Sequence, residues 1–254
     1  MKAEVFGSNH SPWVQAILLA LHEKGIERRW GVLMPAVSID GEPWENESSQ
    51  ILVKLGYEPI SYEDLQAVHD AWQGVMHRPD NLFRFFAAFA RDGDSSPSFF
   101  KRSLRNFLRG FIAFYMFMLI NVAKWIVKPA EPENFGNQFL FWERALESST
   151  EPFLDGDAPG IRDMLLFGMV PCHSSIPVPP LEPLRCDKRL AGLRQWITRM
   201  HERFRDYPHL HSGSYFKPYL PQPVPTSPVQ RAIFYHGLVT MFVVFPVTIP
   251  LFLC

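Results

Sequence analysis

The sequence predicts an α/β unit at the N-terminus, an all-helical region after it and a separate apolar helix at the C-terminus. Between residues 3 and 56, short alternating apolar runs are interleaved with helical periodicity. From residue 61 onwards the patterns are helical. Residues 232–253 carry no formal charge, and these 22 residues are enough to cross a bilayer core, which needs about 20.

The composition of the chain excludes little. A chain of 254 residues with 47% hydrophobic and 20% charged residues can bury a core. Its net charge of −1 gives no general attraction to nucleic acid, so we expect no nucleic-acid partner. The three cysteines form no CxxC pair, and their odd number argues against a disulfide framework. We therefore expect free thiols in a reducing compartment.

The first two elements are a strand and a helix. Residues 3–8 form an apolar run that stops at a glycine and a polar turn, which predicts a short strand. Ser11 is a good helix N-cap, and Pro12 suits the first helical position because its missing N–H is not needed there. A regular apolar face follows, and Gly25 is expected to end the helix.

A second strand and a second helix complete the α/β unit. Residues 35–40 alternate as a half-buried strand does, and Gly41 turns the chain. Residues 48–56 then predict a helix. We assign this first domain to residues 1–58.

The helical region is assigned to residues 61–206. The prolines of 177–183 form a connector within this helical region. A Pro-rich linker, residues 207–230, follows the region. An apolar run at 111–123 is only 13 residues long, which is short for a span and favours a core or interfacial helix. The predicted helices lie at residues 61–78, 81–90, 96–127, 134–149, 160–171 and 187–206.

The last segment, residues 231–254, is predicted to be a transmembrane helix. The alternative is a buried C-terminal helix of the globular part. The Pro-rich linker separates the segment from anything it can pack against, which favours a membrane contact through residues 232–253. We expect a membrane-associated protein with its other domains on the cytoplasmic side. The basic run at 101–109 is then either a solvated helix face or a contact with anionic headgroups.

Motifs of the first domain resemble those of glutathione transferases, in the order in which that family has them. They are SPW at a helix start (11–13), MPAV (34–37), the turn DG (40–41) and ES at a helix N-terminus (47–48). The segment FLDGDAPGIRDMLLFG at 153–168 resembles the family's capping segment. Asp163 is its buried aspartate, and Gly160 stands where Ser or Thr is usual, so half of the capping box is missing. The resemblance covers roughly residues 3–206. It implies a thioredoxin-like N-terminal domain followed by a glutathione transferase-type helical domain.

The resemblance also implies how glutathione would bind. Ser48 and the helix N-terminus would hold the γ-glutamyl carboxylate, and Glu47 would meet the ammonium group. The backbone of Met34, before a cis Pro35, would pair with the cysteinyl part. Ser11 would donate a hydrogen bond to the sulfur and favour its thiolate form. The alternative for Ser11 is a structural role as a helix cap.

Residues 26–34 are short compared with the corresponding segment of that family. An edge strand and a further helix or loop usually precede the cis proline, and nine residues cannot hold a strand, a helix and two turns. We expect the loss to fall between Gly25 and Arg28 and to remove the edge strand. Arg28, Arg29 and Trp30 either replace contacts to the glycine end of glutathione or are solvated linker residues.

The predicted function is transfer of the glutathione thiolate to a small, apolar electrophile, or reduction of a peroxide. The acceptor site would lie between the domains, lined by aromatic residues of 62–125. The alternative is a catalytically retired, membrane-anchored binding module, which the short segment favours. A thiol-exchange enzyme is disfavoured because no cysteine stands at the helix start. A homodimer is compatible with the resemblance. No metal is expected, since Cys172, His173 and Cys186 lack a fourth ligand at zinc spacing.

Overall fold

A computed structural model describes residues 2–6, 11–31, 36–73, 82–91, 98–130, 132–174, 181–207 and 226–253. The strands are β1 Lys2–Phe6, β2 Glu27–Gly31 and β3 Ala36–Ile39. The helices of the first half are α1 Pro12–Glu23, α2 Ser48–Lys54, α3 Tyr62–Gln73, α4 Leu82–Arg91 and α5 Phe99–Val127. Those of the second half are α6 Leu140–Glu147, α7 Ile161–Ser174, α8 Leu181–Cys186, α9 Ala191–Arg203 and α10 Pro228–Leu253.

The strands form one mixed sheet with β1 in the middle. β1 pairs in parallel with β2 and antiparallel with β3. At the end of β1, Phe6 is opposite both Gly31 of β2 and Ala36 of β3. This is the predicted strand–helix–strand unit together with one strand, β2, that was not predicted.

The prediction that the edge strand is lost is therefore wrong. Glu27–Gly31 pairs with β1 along its whole length and occupies the edge of the sheet. From Gly31 the chain has only to pass the end of β1 to reach Ala36. Two strand spacings amount to about 10 Å, and five residue steps reach at most about 17 Å. The shortened part of the chain is thus the connection after β2, where no helix is needed to cover the distance.

Two predicted chain reversals have the backbone conformation that their residues favour. Gly25 has a φ of +63° just after α1 ends. Asp40 and Gly41 both have positive φ, 49° and 82°, as the central residues of a type I′ hairpin turn do. The turn is closed by the Glu42 N–H, which donates to the Ile39 carbonyl at 2.9 Å. The hairpin then leads into α2.

Helix α1 lies at the centre of the core. Every residue from Val14 to Leu21 is buried, and the helix packs against α2 and α7. Gly168 of α7 allows a close approach, because a Cβ atom there would overlap the carbonyl oxygen of Pro12. The helical region and the α/β unit therefore share one core, and the start of α1 lies against α7.

Asp163 is the buried aspartate that the sequence predicts. Its side chain is fully buried and accepts N–H groups from Leu154 at 2.9 Å and Gly160 at 3.0 Å. The indole N–H of Trp196 on α9 donates to it at 2.7 Å. Burial raises the pKa of this carboxyl, while these donors act in the opposite direction. One carboxylate thus fixes the start of α7 to the preceding loop and to α9.

The structure explains why glycine stands at position 160. The carboxylate of Asp155 accepts the backbone N–H of Arg162 at 2.9 Å, the type of bond that a Ser or Thr cap would make. A Cβ atom on residue 160 would overlap that carboxylate. Asp155 therefore replaces the missing hydroxyl, and glycine at position 160 makes room for it.

Several helix boundaries in the second half differ from the predicted ones. The helix predicted at 134–149 is α-helical only over Leu140–Glu147, after the 3₁₀ turn Asn137–Phe139. The helix predicted at 160–171 runs over Ile161–Ser174.

Helix α8 begins at Leu181, inside the segment that was predicted as a Pro-rich connector. The helix predicted at 187–206 starts as a 3₁₀ turn, Lys188–Leu190, and becomes α-helical at Ala191. Residues 74–78 of the first predicted helix, and 177–180 of the connector, lie outside the described residues.

The C-terminal segment is helical, but the reason for expecting it to be isolated is wrong. Helix α10 packs along α5, and its Phe234 and Met241 are each 1% exposed. Among the described residues, the helix long and apolar enough to cross a membrane is α5, in the middle of the chain. The predicted C-terminal transmembrane helix is therefore not supported.

Candidate functional site

Ser11 is the N-cap residue of α1. Its backbone is extended, with φ −78° and ψ 125°, and its carbonyl oxygen accepts the N–H of Gln15 at 2.9 Å. Its hydroxyl makes no capping hydrogen bond, and its side chain is half-buried. The helix therefore begins without using the Ser11 hydroxyl, which removes the support for a side-chain cap as its role.

The start of α1 carries no neutralising charge of its own. Pro12 has no N–H, and the first turn contains no acidic residue. The partial positive charge of a helix N-terminus is therefore not offset by a carboxylate within this turn. An anion beside Ser11, such as a thiolate, would be stabilised by both the hydroxyl and the helix.

A residue of the helical region lies close to this helix start. The ring of Trp13 packs against the ring of His69 on α3, with 5.0 Å between centroids. His69 is exposed, so an imidazole stands at the edge of the site where the two parts of the chain meet. His69 could not be predicted from the sequence, because an exposed polar position on an amphipathic helix has no distinguishing pattern.

The start of α2 is capped by the chain itself. Glu47 is its N-cap, and the Glu47 carboxylate accepts the backbone N–H of Gln50 at 2.8 Å and the hydroxyl of Ser49. Ser48 is the first residue of the helix and only 5% exposed. A ligand carboxylate arriving here would meet Glu47 before the helix N-terminus, and the Ser48 hydroxyl is largely covered.

Glu45 extends this acidic cap. Its carboxylate accepts the N–H groups of Asn46 at 3.1 Å and Glu47 at 3.2 Å, and it pairs with Lys54 at 3.3 Å. The bond from Glu47 and the ion pair with Lys54 lower the pKa of Glu45. The backbone of Glu45 is bridged to Val37 of β3 by two 2.9 Å hydrogen bonds. Glu47 and Ser48 are therefore held close to the end of the sheet.

Other predicted site residues cannot be placed. Met34 and Pro35 lie outside the described residues, as do the side chains of Arg28, Arg29 and Trp30. The side chains of Cys172 and His173 are also outside this part of the chain, whereas Cys186 is an exposed free thiol. In the part of the chain that the structure describes, no group of three His, Cys, Asp or Glu side chains is arranged to hold a metal ion.

A cavity of about 500 Å³ lies away from the predicted site. It is lined by the end of α1, the loop between α2 and α3, and the start of α7. Tyr57 contributes to this lining, and burial raises the pKa of its hydroxyl. Of the predicted site residues that the structure describes, Ser11, Glu47 and Ser48, none lines the cavity, so the candidate site is considered at the starts of α1 and α2.

The comparisons with known proteins give structural likeness only. No protein-family model matches the sequence, and no curated protein matches it significantly. The structure is similar to a theta class glutathione S-transferase from Xanthomonas axonopodis pv. citri, solved with glutathione bound. That match has 16% identity, covers 82% of this chain and 93% of that chain, and has a TM-score of 0.41.

Two further solved structures extend this likeness to other classes. An epsilon-class glutathione S-transferase from the housefly, Musca domestica, is 14% identical; the match covers 92% of this chain and 98% of that chain, with a TM-score of 0.42. Glutathione S-transferase III in its apo form is 14% identical; the match covers 88% of this chain and all of that chain, with a TM-score of 0.46. The chain is similar in structure to glutathione transferases of several classes, the family that its sequence motifs resemble.

Proposed function

We propose that this protein is a glutathione transferase-like enzyme that stabilises the glutathione thiolate at Ser11. The observation that carries the proposal is the uncapped, acid-free start of α1, where the Ser11 hydroxyl is not used by the helix. The proposed domains are a thioredoxin-like unit, residues 1–58, and a helical unit, residues 61–206.

Ser11 acts in the proposed reaction as a donor and not as a nucleophile. Its O–H donates to the sulfur, and the N-terminal end of α1 adds a favourable field, so the thiol loses its proton more readily. The thiolate then attacks an electrophilic carbon, a C–S bond forms and the leaving group departs with its electron pair. A second proposed reaction is attack of the same thiolate on a peroxide. An S–O bond forms, the O–O bond breaks and the other oxygen leaves as an alcohol or water; a second glutathione then displaces water from the sulfenic acid and gives glutathione disulfide.

The proposed glutathione site extends from Ser11 towards α2. The backbone of Met34, before Pro35, would pair with the cysteinyl part of glutathione. Glu47 and Ser48 would contact its γ-glutamyl end. The acceptor would enter between the two units, where Trp13 and His69 are in contact, with aromatic residues of 62–125 around it.

A catalytically retired binding module is the second candidate function. It is favoured by the start of α2, where Glu47 already occupies the N–H of Gln50 and Ser48 is largely covered. Helix α2 has only seven residues, so it offers a weak dipole to a competing carboxylate. In this case the chain would keep the fold and lose most of its affinity for glutathione.

We also propose that the protein associates with a membrane from the cytoplasmic side. The exposed free thiol of Cys186 is compatible with a reducing compartment. The apolar helix α5 and the uncharged C-terminal segment support the membrane contact.

Calorimetric titration of glutathione into the full chain tests the transferase proposal. We expect saturable binding that Ser48→Ala weakens by about 1 kcal/mol or more, as for a lost hydrogen bond to a charged group. Ser49→Ala is the matched control, since the Ser49 hydroxyl is already bound to Glu47. Absence of heat at millimolar glutathione, from folded protein, would leave the retired module as the better account.

A further inference from the structure

Helices α5 and α10 form a parallel pair. The ring of Phe107 lies 5.8 Å from that of His236, and the ring of Phe114 lies 5.8 Å from that of Phe242. Residue numbers therefore increase together along the two helices. Because the pair is parallel, both N-termini are at the same end.

Two glycines allow the backbones of α5 and α10 to approach each other closely. A Cβ atom on Gly110 of α5 would overlap the carbonyl oxygen of Phe234, and it would lie 2.9 Å from the N of Leu238. A Cβ atom on Gly237 of α10 would overlap the carbonyl oxygen of Phe107. The two backbones thus touch at one reciprocal glycine crossing, as in pairs of helices that approach without bulky side chains between them.

Among the described elements, the main neighbour of this pair is α4. A guanidinium N–H of Arg109 donates to the Phe89 carbonyl at 2.9 Å, and the Thr226 hydroxyl donates to the Ala90 carbonyl at 2.6 Å. The ring of Phe117 packs on Phe85, with 5.5 Å between centroids. One side of the pair is therefore covered by α4.

The outer faces of both helices are apolar and exposed. The exposed fractions on α5 are 49% for Leu119 and 65% for Ile126, and on α10 they are 65% for Phe242 and 69% for Val243. Only 17% of the most apolar window of α5 is buried. Further exposed apolar side chains on the two helices are those of Leu104, Leu108, Val122, Trp125, Val127, Val229, Tyr235 and Val239. A surface of this kind marks a contact with a partner or a membrane.

The charges on these helices have one sign. Neither helix contains an aspartate or glutamate, so all 26 acidic residues of the chain lie elsewhere. Lys101, Arg102, Arg105 and Arg109 lie in the first half of α5, and Arg231 lies near the start of α10. Because the helices are parallel, these five cations lie towards one end of the pair, while Lys124 lies near the other end of α5. They complement an anionic surface.

The charges of α5 argue against its crossing a bilayer. Between Arg109 and Lys124 the helix has 14 uncharged residues, 110–123, which span about 21 Å at about 1.5 Å per residue. The hydrocarbon core is about 30 Å thick, so a crossing would place cations of α5 inside it. Since α10 packs alongside α5, the same constraint applies to the pair in this arrangement.

We propose that α5 and α10 together lie in the interface of an anionic bilayer, without spanning it. The outer apolar side chains enter the boundary between headgroups and acyl chains, and the basic end contacts the headgroups. The inference refines the membrane association proposed above and is independent of glutathione binding.

Sedimentation of the full chain with vesicles tests the surface. The probes are phosphatidylcholine vesicles with and without phosphatidylserine. Leu119→Glu with Val122→Glu should weaken binding at least about tenfold, because two charges enter the apolar boundary. The matched control is Trp44→Glu with Tyr62→Glu, which changes exposed aromatics outside the pair and should bind as the natural chain does. Equal loss in both variants would overturn the proposal.

Charge variants test the headgroup contact. Lys101→Gln with Arg105→Gln should weaken binding to the anionic vesicles about 30-fold, at about fivefold per cation. Lys188→Gln with Arg185→Gln is the control with the same change in charge outside the pair. Binding that is the same with and without phosphatidylserine would contradict this part of the inference.

Two readouts separate the remaining alternatives. In a chain whose three cysteines are serines, a cysteine at either end of α5, Ser98→Cys or Lys128→Cys, should react with a membrane-impermeant maleimide on sealed vesicles. Reaction of either one only after detergent would mean that α5 spans. Light scattering that shows a dimer, lost in Leu119→Glu with Val122→Glu, together with no vesicle binding, would assign the face to a second copy. Ser11→Ala should bind vesicles as the natural chain does. A loss of glutathione binding can therefore be distinguished from a loss of membrane binding.

Discussion

The starts of α1 and α2 contain the two polar sites that the motifs predict, and the two helix starts differ in how they are capped. At α1, Ser11 occupies the N-cap with its hydroxyl outside the capping bond and no acid in the first turn. At α2, the carboxylate of Glu47 caps the helix and binds Ser49. A helix start can bind an outside anion only to the extent that the chain leaves it open. The comparison therefore supports the proposal that the reactive end of the site is at Ser11 and that the α2 end is the weaker one.

The start of α7 is a third case and the most completely closed. Two aspartates serve it: Asp163 from within the first turn and Asp155 from the preceding loop. Both carboxylates accept backbone N–H groups at this helix start; the one that Leu154 donates to Asp163 is buried, whereas the one that Arg162 donates to Asp155 is exposed. The three starts thus range from open at α1, through partly closed at α2, to fully closed at α7.

The largest expected effect is at α7. Asp163→Ala leaves the N–H groups of Leu154, Gly160 and Trp196 unpaired in a buried place, so we expect a loss of about 3 to 5 kcal/mol in the free energy of unfolding. Urea denaturation monitored by circular dichroism measures it. A loss below about 1 kcal/mol would mean that the start of α7 is not fixed by this carboxylate.

Acid should weaken the same region next. His201 of α9 is buried against Phe167 of α7, and burial lowers its pKa to about 4. The unfolded chain binds a proton near pH 6.5 and the folded one does not, so stability falls as the pH drops from about 6.5 to 4. The expected loss is about 3 kcal/mol. The loss is measured by comparing the urea unfolding midpoints of the natural chain and of His201→Gln across this pH range. If the midpoints of both proteins fall equally with pH, His201 is not the cause of the loss.

A smaller effect tests the exchange of roles between Gly160 and Asp155. Gly160→Ser forces its Cβ atom against the Asp155 carboxylate, so we expect a loss of about 2 kcal/mol. Asp155→Ala in the same chain should recover part of it, because the introduced serine hydroxyl can then accept the N–H of Arg162. Additive losses in the double variant would show that the two positions do not exchange roles. Unfolding by urea again gives the numbers.

The smallest pair of effects compares the two candidate starts directly. Glu47→Ala removes a working cap and should cost about 1 kcal/mol of stability. Ser11→Ala removes a hydroxyl that caps nothing and should change stability by less than about 0.5 kcal/mol. Thermal unfolding of both variants measures the two losses of stability. An equal loss in both would mean that Ser11 is a structural cap.

Local signals in the sequence predicted the local structure well. Ser11 with Pro12, Gly25, and Asp40 with Gly41 each specify a backbone conformation within a few residues, and each has the predicted place in the fold. Strand β2 was missed because its residues, ERRWG, do not alternate and include two adjacent arginines. Its pairing is decided by β1 and not by its own pattern.

Contacts between segments that are distant along the chain could not be predicted, because they leave no pattern in the sequence. Gly110 and Gly237 look like isolated helix glycines until the two helices are seen to touch. Asp155 reads as a loop residue until its carboxylate is seen to replace a cap at position 160. For the candidate site, the sequence could name Ser11, Glu47 and Ser48, but it could not tell which helix start the chain had already closed.

The central claim is that Ser11 stabilises a thiolate at the open start of α1. The most direct measurement is the thiol pKa of bound glutathione, followed by the ultraviolet absorbance of the thiolate, in the natural chain and in Ser11→Ala. We predict a pKa below that of free glutathione in the natural chain, raised by about 1 to 2 units in the variant, as a lost hydrogen bond to a charged group implies. An unchanged pKa on saturated protein would contradict the claim.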